Sequence, residues 1–258
     1  EQENKLESNI SESELQIPQR VRGVEFSNLG LAIIDEEQRF GVTHKDRLKE
    51  IRFEVDVLTL SATPIPRTLH MALAGIRDMS RVESAPLGRQ SIQTYVLGWD
   101  LEILQTAIRR EIARGGQVYL VHNRVKTIDA FADEIRNLVP EARILVGHGQ
   151  MPKWHLESVM REFIDSDADV LISTTIIESG LDIPNVNTIL IDRAQSLGLS
   201  QLYQLRGRVG RSDQQAYAYL FHHGSMTDIQ QQRLTAIFES SELGSGLRVA
   251  QRDLEIRG

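Results

Sequence analysis

Gln204, Arg208 and Arg211 stand at i, i+4 and i+7 within the segment Gln204-Leu-Arg-Gly-Arg-Val-Gly-Arg211. That spacing predicts one ridge on a short helix, because residues three and four apart share a helical face. Gly207 and Gly210 would let a backbone or a phosphate approach closely. Arginine presents a planar, permanently charged fork that stabilises charge developing on a transferred phosphoryl group, so the ridge suits a polyphosphate. A solvated basic turn is the plainer alternative. A second group lies upstream, where the apolar run Leu31-Ala-Ile-Ile ends in Asp35-Glu36-Glu37. A buried strand that delivers carboxylates at its end can hold magnesium through Asp35 and orient or deprotonate water through Glu36. A third run, Val57-Leu-Thr-Leu60, ends in the hydroxyls Ser61 and Thr63, and Pro64 and Pro66 bar its continuation as a strand. Small hydroxyl residues there can link a hydrolysis site to a neighbouring domain.

The elements that must position these groups are legible in the apolar pattern. A strand at Ile92–Leu97 precedes a helix with its stripe at Leu101, Leu104, Ile108 and Ile112, stopped by Gly115-Gly116. The unit then repeats: strand 118–121 with helix 127–138 and its breaker Pro140, strand 144–146 with helix 152–164, and strand 170–172 leading into Thr174. Strands at 188–191 and 216–221 complete the series. Repeated strand-helix alternation with apolar strands predicts an α/β fold, a parallel sheet covered by helices on both faces. In such sheets ligands bind at the carboxyl ends of the strands, which puts His122-Asn123-Arg124, Gly147-His148-Gly149 and Thr174-Thr175 on one rim. Their side chains can donate to nucleic-acid phosphates without reading bases. For His122 and His148 a hydrogen-bonded loop role stands open beside direct contact.

The motifs as a set resemble motifs II, III, V and VI of superfamily 2 helicases, in order: Asp35-Glu-Glu-Gln38, Ser61-Ala-Thr63, the Thr174–Asp182 segment and Gln204–Arg211. Arg39-Phe-Gly-Val42, Thr63-Pro-Ile-Pro-Arg-Thr68, Gly147-His-Gly-Gln-Met151 and Thr174–Pro184 are similar in wording to the bacterial transcription-repair coupling factor family. The nearest related family is the branch-migration helicase that remodels forks and junctions; Glu37 and the wording of Ile176–Asp182 favour the coupling factor. The resemblance runs from about Leu29 to the last residue. It implies an ATP-dependent, Mg2+-using translocase on double-stranded DNA, placed in the cytoplasm. It further implies RNA polymerase and excision-repair partners that engage through modules other than these residues.

The resemblance also assigns roles. Asp35 and Glu36 take the magnesium and water positions; Gln204, Arg208 and Arg211 face the terminal phosphate; Gly180 and Asp182 lie against ATP. Thr174 and Thr175 are expected to touch DNA, with His122, Asn123 and His148 on the same track, while Ser61 and Thr63 couple hydrolysis to it. Residues 247–258 resemble the start of a translocation hairpin, which places Arg252 and Arg257 in DNA contact or coupling.

The domain reading follows: an acidic segment at 1–28 with five glutamates in its first fourteen positions, a partial RecA-like domain at 29–87, a complete RecA-like domain at 88–224, and a helical hairpin at 225–258. An incomplete sheet exposes edges and apolar faces, so residues 29–87 are expected to be less stable than those after them. No Gly-x-x-x-x-Gly-Lys-Ser/Thr loop occurs in the sequence, and the chain is expected to be a fragment that hydrolyses ATP poorly by itself.

Composition constrains the remaining classes. The chain of 258 residues has no cysteine, which excludes disulfides and cysteine-ligated metal, and its histidines are too scattered to predict a protein-built metal cage. A net charge of -7 offers no global basic footprint, although a local groove can bind phosphates regardless of the total. The N-terminus lacks the basic-then-apolar order of a secretory signal. Trp99, Trp154 and Tyr203 do not interleave with a basic run, so packing is expected for each rather than base stacking.

Overall fold

The computed structural model describes residues 30–35, 55–61, 80, 82, 90–178, 182–240, 242 and 244–257. Glu36, Thr63 and Gly180 lie outside the described residues, as do the segment 1–28 and most of 29–87. The chain divides into two compact units, residues 1–62 and 63–258. In the first unit, β1 (Leu31–Asp35) and β2 (Asp56–Leu60) pair in parallel, with Asp35 opposite Leu60. Parallel register therefore brings the carboxyl ends of both strands, Asp35 and the adjoining Ser61, to one edge. Ile34 is buried, whereas Leu31, Ile33, Leu58 and Leu60 are all about half exposed, at 47–62%.

The second unit contains a six-stranded sheet in the order β3-β8-β7-β4-β6-β5, and every pairing is parallel. Its strands are β3 (Gln93–Gly98), β4 (Gln117–Val121), β5 (Ile144–Gly147), β6 (Val170–Ser173), β7 (Val186–Ile191) and β8 (Tyr217–His222). The helices are α1 (Leu101–Ala113), α2 (Ile128–Leu138), α3 (Lys153–Ile164), α4 (Leu199–Arg206), α5 (Asp228–Glu239) and α6 (Gly246–Arg257). Every residue of β4, β6 and β7 is buried, as expected for inner strands of a sheet covered on both faces.

Two apolar clusters record that coverage. Val118 and Leu120 of β4 pack with Leu104 and Ile108 of α1 and Phe131 and Ile135 of α2. The alternate residues Tyr119 and Val121 pack with Phe163 of α3, Leu202 of α4 and Ile237 of α5. Side chains that alternate along one strand enter opposite cores, which is the period of two that a strand imposes.

Local chemistry sets the helix ends. The Asp100 carboxylate accepts from the amides of Glu102 and Ile103 at 2.8 and 3.2 Å, capping α1. After α1 the chain turns through Gly115 at φ +75°, and a Cβ on Gly116 would stand 1.8 Å from the Glu111 carboxylate. Thr227 and Gln230 close a reciprocal capping box at the head of α5. Of the apolar residues in α5, Leu234 and Ile237 are buried but Ile229 and Phe238 are 49% and 53% exposed, so the inward stripe is narrow.

Candidate active site and nucleic-acid interface

The expected ridge of Gln204, Arg208 and Arg211 is not a helical ridge. Helix α4 ends at Arg206 with Gly207 as its C-cap, leaving Gln204 on the helix and both arginines in the segment beyond it. Spacing in the sequence assumes a helix that continues, and the glycines prevent this. Gly210 adopts φ +75°, and a Cβ there would meet both Ala216 Cβ and Ile92 Cγ1 at 3.2 Å. Only glycine suits that turn.

Beyond the turn, Arg211 Nη1 lies 2.9 Å from Asp182 Oδ1. Arg208 is half-buried, and the charges of Arg208, Arg211 and Asp182 all act on the Tyr119 phenol. Burial is the larger influence on that phenol and pushes its pKa up. Of the residues expected to serve one nucleotide, Arg211 and Asp182 are thus in direct contact.

Arg206, which spacing does not distinguish from its neighbours, is 4% exposed. It donates to the Ile237 carbonyl at 2.9 Å and the Ser240 carbonyl at 2.8 Å, satisfying the last turn of α5. Burial draws its pKa down from the usual arginine value, though the guanidinium stays charged at any working pH. Ser200 Oγ donates to Asp253 Oδ2 at 3.1 Å, joining α4 to α6. The helix carrying Gln204 is therefore fastened to both α5 and α6, through the buried Arg206 and through the half-buried Ser200 and buried Asp253. Arg252 is on the exposed side of α6 and pairs with Glu255 at 2.7 Å. Arg257 is the last residue of α6, and its side chain lies outside the described residues.

The rim at the strand ends forms as expected from parallel order. Asn123 and Arg124 are exposed, Thr175 and His148 are half-buried, and Thr174 is only 7% exposed, which leaves Thr175 the more accessible threonine. His122 does not face solvent. Its Nδ1 is 2.7 Å from Asp192 Oδ2, its Nε2 is 2.8 Å from Thr127 Oγ1, and its ring stacks on Phe131. Both ring nitrogens are occupied within the protein, so of the two roles left open by sequence it fills the hydrogen-bonded one.

Asp192 is missed by sequence reasoning because its partners are 70 and 31 residues away. It also meets His223 Nε2 at 2.6 Å. Burial acts to raise its pKa, but the hydrogen bonds from His122 and His223 outweigh that and hold the carboxyl below its usual range. A cavity of about 320 Å³ opens beside this cluster, lined among others by Trp99, Arg124, Glu134 and Arg193. Trp99 packs on Phe131, Phe221 and His223, whereas Trp154 is 72% exposed at the head of α3. Among the described residues no group of three or more histidines and carboxylates could hold a metal ion, and no helix is long and apolar enough to cross a membrane.

Comparison with known proteins fits this geometry. Residues 99–213 match the helicase conserved C-terminal domain. The chain is 55% identical over 239 residues to the transcription-repair-coupling factor of Bacillus subtilis (strain 168), covering 92% of this chain and 20% of that protein. It is 50% identical over the same length to the factor of Staphylococcus aureus (strain USA300), with the same coverage. The chain thus spans about one fifth of the length of the curated relatives it matches. Among solved structures it is similar to RecG bound to a three-way DNA junction, with a TM-score of 0.70 and 34% identity over 90% of this chain and 30% of that one. Saccharomyces cerevisiae Dbp5 bound to RNA and ADP BeF3 shares the fold, with a TM-score of 0.62 at 15% identity over 91% of this chain and 65% of that one. The six-stranded unit is a RecA-like helicase C-terminal domain, and most of the chain is similar in sequence to part of the transcription-repair-coupling factors.

Proposed function

We propose that this chain is part of an ATP-dependent double-stranded DNA translocase of transcription-coupled repair, one that displaces stalled RNA polymerase and brings in excision-repair proteins in the cytoplasm. The observation that carries the reading is the segment after α4, where Arg211 meets Asp182 while Arg206 ties the same helix to the hairpin. One end of the segment suits a phosphate and the other reports to a helical pair.

The residues present fit ATP with Mg2+. Arg208 and Arg211 are permanent cations beyond a glycine-capped helix end, and Asp35 is an exposed carboxylate at the end of β1. Bound ATP with Mg2+ supplies the transferable phosphoryl group and the counter-charge for its oxygens. Asp35 would hold the metal, Arg208 and Arg211 would stabilise charge on the terminal phosphate, and Gln204 would sense its presence. Asp182 orients Arg211, while Gly180 has the nucleotide-binding role that the resemblance implies. Glu36 keeps the water-positioning role that the resemblance implies, and Ser61 and Thr63 the coupling role.

On the rim, Asn123, Arg124, His148, Thr174 and Thr175 form the DNA track, with contacts to phosphates rather than bases. Arg252 and Arg257 belong to the hairpin that transmits motion. The domain assignment stands with this reading: 29–87 from the first RecA-like domain, 88–224 the second, and 225–258 the hairpin. Without a phosphate-binding loop, the chain in isolation acts as a binding module.

ATP hydrolysis by the purified chain, with and without duplex DNA, tests the reading when run beside a version extended with an upstream phosphate-loop domain. DNA-stimulated turnover in the extended version alone supports it. Turnover by the chain alone contradicts the assignment of an incomplete site, and inactivity of both contradicts the motor. A fork-remodelling helicase is the second reading, favoured by the likeness to RecG bound to a three-way junction. An oligonucleotide-binding wedge upstream would decide for it, and a polymerase-interaction module for the first.

A further inference from the structure

One carboxylate gathers the ends of three strands in the RecA-like unit. Asp192 follows β7; its Oδ2 meets Nδ1 of His122, just past β4, at 2.7 Å, and its Oδ1 meets Nε2 of His223, just past β8, at 2.6 Å. With each imidazole donating one N–H, both carboxylate oxygens are satisfied while the anion persists. The remaining nitrogen of His122 reaches Thr127 Oγ1 at 2.8 Å.

That last bond spans the loop from β4 to α2 like a strut. His122 and Thr127 are its two ends, and Asn123, Arg124 and Lys126 are the exposed residues between them. Backbone bonds tighten the same loop: the Arg124 amide donates to the His122 carbonyl at 2.8 Å, and the Thr127 amide to the Arg124 carbonyl at 3.1 Å. His122 has little freedom to swing, because its ring stacks on Phe131 with centroids 4.4 Å apart. The imidazole is thus fixed at both nitrogens and one face, and the Asp192 carboxylate is the group that anchors it to the rest of the sheet.

We infer that Asp192 is a positioning residue for DNA: through His122 and Thr127 it holds the 123–126 loop so that Arg124 meets a phosphate of the duplex. The inference rests on the DNA-track reading above. Asp192 itself is 5% exposed and touches no DNA; its effect passes through the loop it holds, with Arg124 as the side chain tested. A side chain that meets a phosphate and the buried group that holds its loop in place must be energetically coupled, whereas a carboxylate that only supports the fold leaves the two substitutions additive.

The test is a double-mutant cycle on the whole chain, reading the binding of a fluorescently labelled duplex by anisotropy across a salt series, with melting curves as the control for folding. Arg124→Ala in the native background is expected to weaken binding about fivefold and to lower the salt slope by about one, as loss of one phosphate contact does. In an Asp192→Asn background the same substitution is expected to change affinity by less than about twofold, because the loop no longer presents the arginine. Thr127→Val removes only the exposed hydroxyl of the strut, and it carries the cycle where Asp192→Asn fails to fold; it is expected to abolish the effect of Arg124→Ala in the same way. Equal losses from Arg124→Ala in native and variant backgrounds would overturn the inference and leave the DNA track standing. Native binding that ignores Arg124→Ala altogether, or no native binding at all, would remove the DNA-track reading and the inference with it.

Discussion

Arg211 Nη1 lies 2.9 Å from Asp182 Oδ1, with the two side chains 25% and 62% exposed. The ion pair joins two segments that the family resemblance assigns separately to one nucleotide. An exposed pair of this kind contributes little to stability, with measured values of about 0–1 kcal/mol, so its significance is one of orientation. The arginine is held at one end of its fork and keeps further donors for an incoming anion.

The first prediction concerns that arginine. In the motor extended with its phosphate-loop domain, Arg211→Ala is expected to lower DNA-stimulated ATP turnover on the order of 10²-fold or more, the usual consequence of losing a transition-state cation. Arg211→Lys should recover little, because an ammonium lacks the fork that can meet Asp182 and an oxyanion together. Asp182→Asn should cost less than Arg211→Ala, since it frees the arginine without removing it. Steady-state hydrolysis assays decide this, and unchanged turnover in Arg211→Ala would end the assignment.

Arg206 gives a second prediction. Its guanidinium is buried and donates to the carbonyls of Ile237 and Ser240. Arg206→Met leaves the Ile237 carbonyl without that donor at the end of α5, while the Ser240 carbonyl keeps the Ser245 hydroxyl at 2.9 Å, and an unmet buried polar group costs roughly 1–3 kcal/mol. The melting temperature should fall by several degrees. In the extended motor this variant is further expected to hydrolyse ATP while losing translocation, because the connection from the segment proposed to face phosphate to α5 is cut. A triplex-displacement assay beside a hydrolysis assay separates the two effects, and parallel loss of both would mean that Arg206 serves only the fold.

How much of this could be read from the sequence depends on the range of the interaction. Strands and helices of the RecA-like unit follow from apolar period and local breakers, and each predicted strand from 92 to 221 has its counterpart in the sheet. The end of α4 was also a local matter, yet the i, i+4, i+7 spacing of Gln204, Arg208 and Arg211 obscured it, because Gly207 and Gly210 admit a turn as readily as a close approach. Asp192 was beyond reach for another reason. An isolated acid between Ile191 and Arg193 carries no periodic signal, and its meaning arises only when topology places β4, β7 and β8 side by side. Burial likewise separates Arg206 from Arg208, and nothing in their spacing does.

Glycine geometry supplies a third prediction. Gly210 combines φ +75° with a Cβ position 3.2 Å from both Ala216 and Ile92. Gly210→Ala therefore meets backbone strain and overpacking together, with a cost of about 1–3 kcal/mol for each. The variant should melt below the native chain, and because the displaced turn lies between Arg208 and Arg211, the extended motor should also lose turnover. Gly30→Ala, where the structure offers open space and no positive φ, is the matched control and should leave the melt within about 0.5 kcal/mol of native.

The last prediction concerns acid. The Asp192 carboxyl titrates below its ordinary value because hydrogen bonds from His122 and His223 outweigh the opposing effect of burial. An unfolded aspartate titrates near 3.9, so the folded value is the lower of the two and the unfolded chain binds the proton first. The sign follows: the contribution of Asp192 is fully present above about pH 4 and is lost as pH falls through the folded value. Asp169 behaves alike, since Arg143 hydrogen bonds hold its carboxyl down against burial, although its exposed arginine partner makes this share smaller. Melting curves taken from neutral pH downward should show stability declining steeply below about pH 4. Asp192→Asn should start lower at neutral pH, because an amide cannot accept from both imidazoles through two oxygens. It should then decline less steeply in acid, because the titrating group is gone. A variant whose acid limb runs parallel to the native one would show that Asp192 is not held as a carboxylate by its two histidines, whatever its part in shaping the loop.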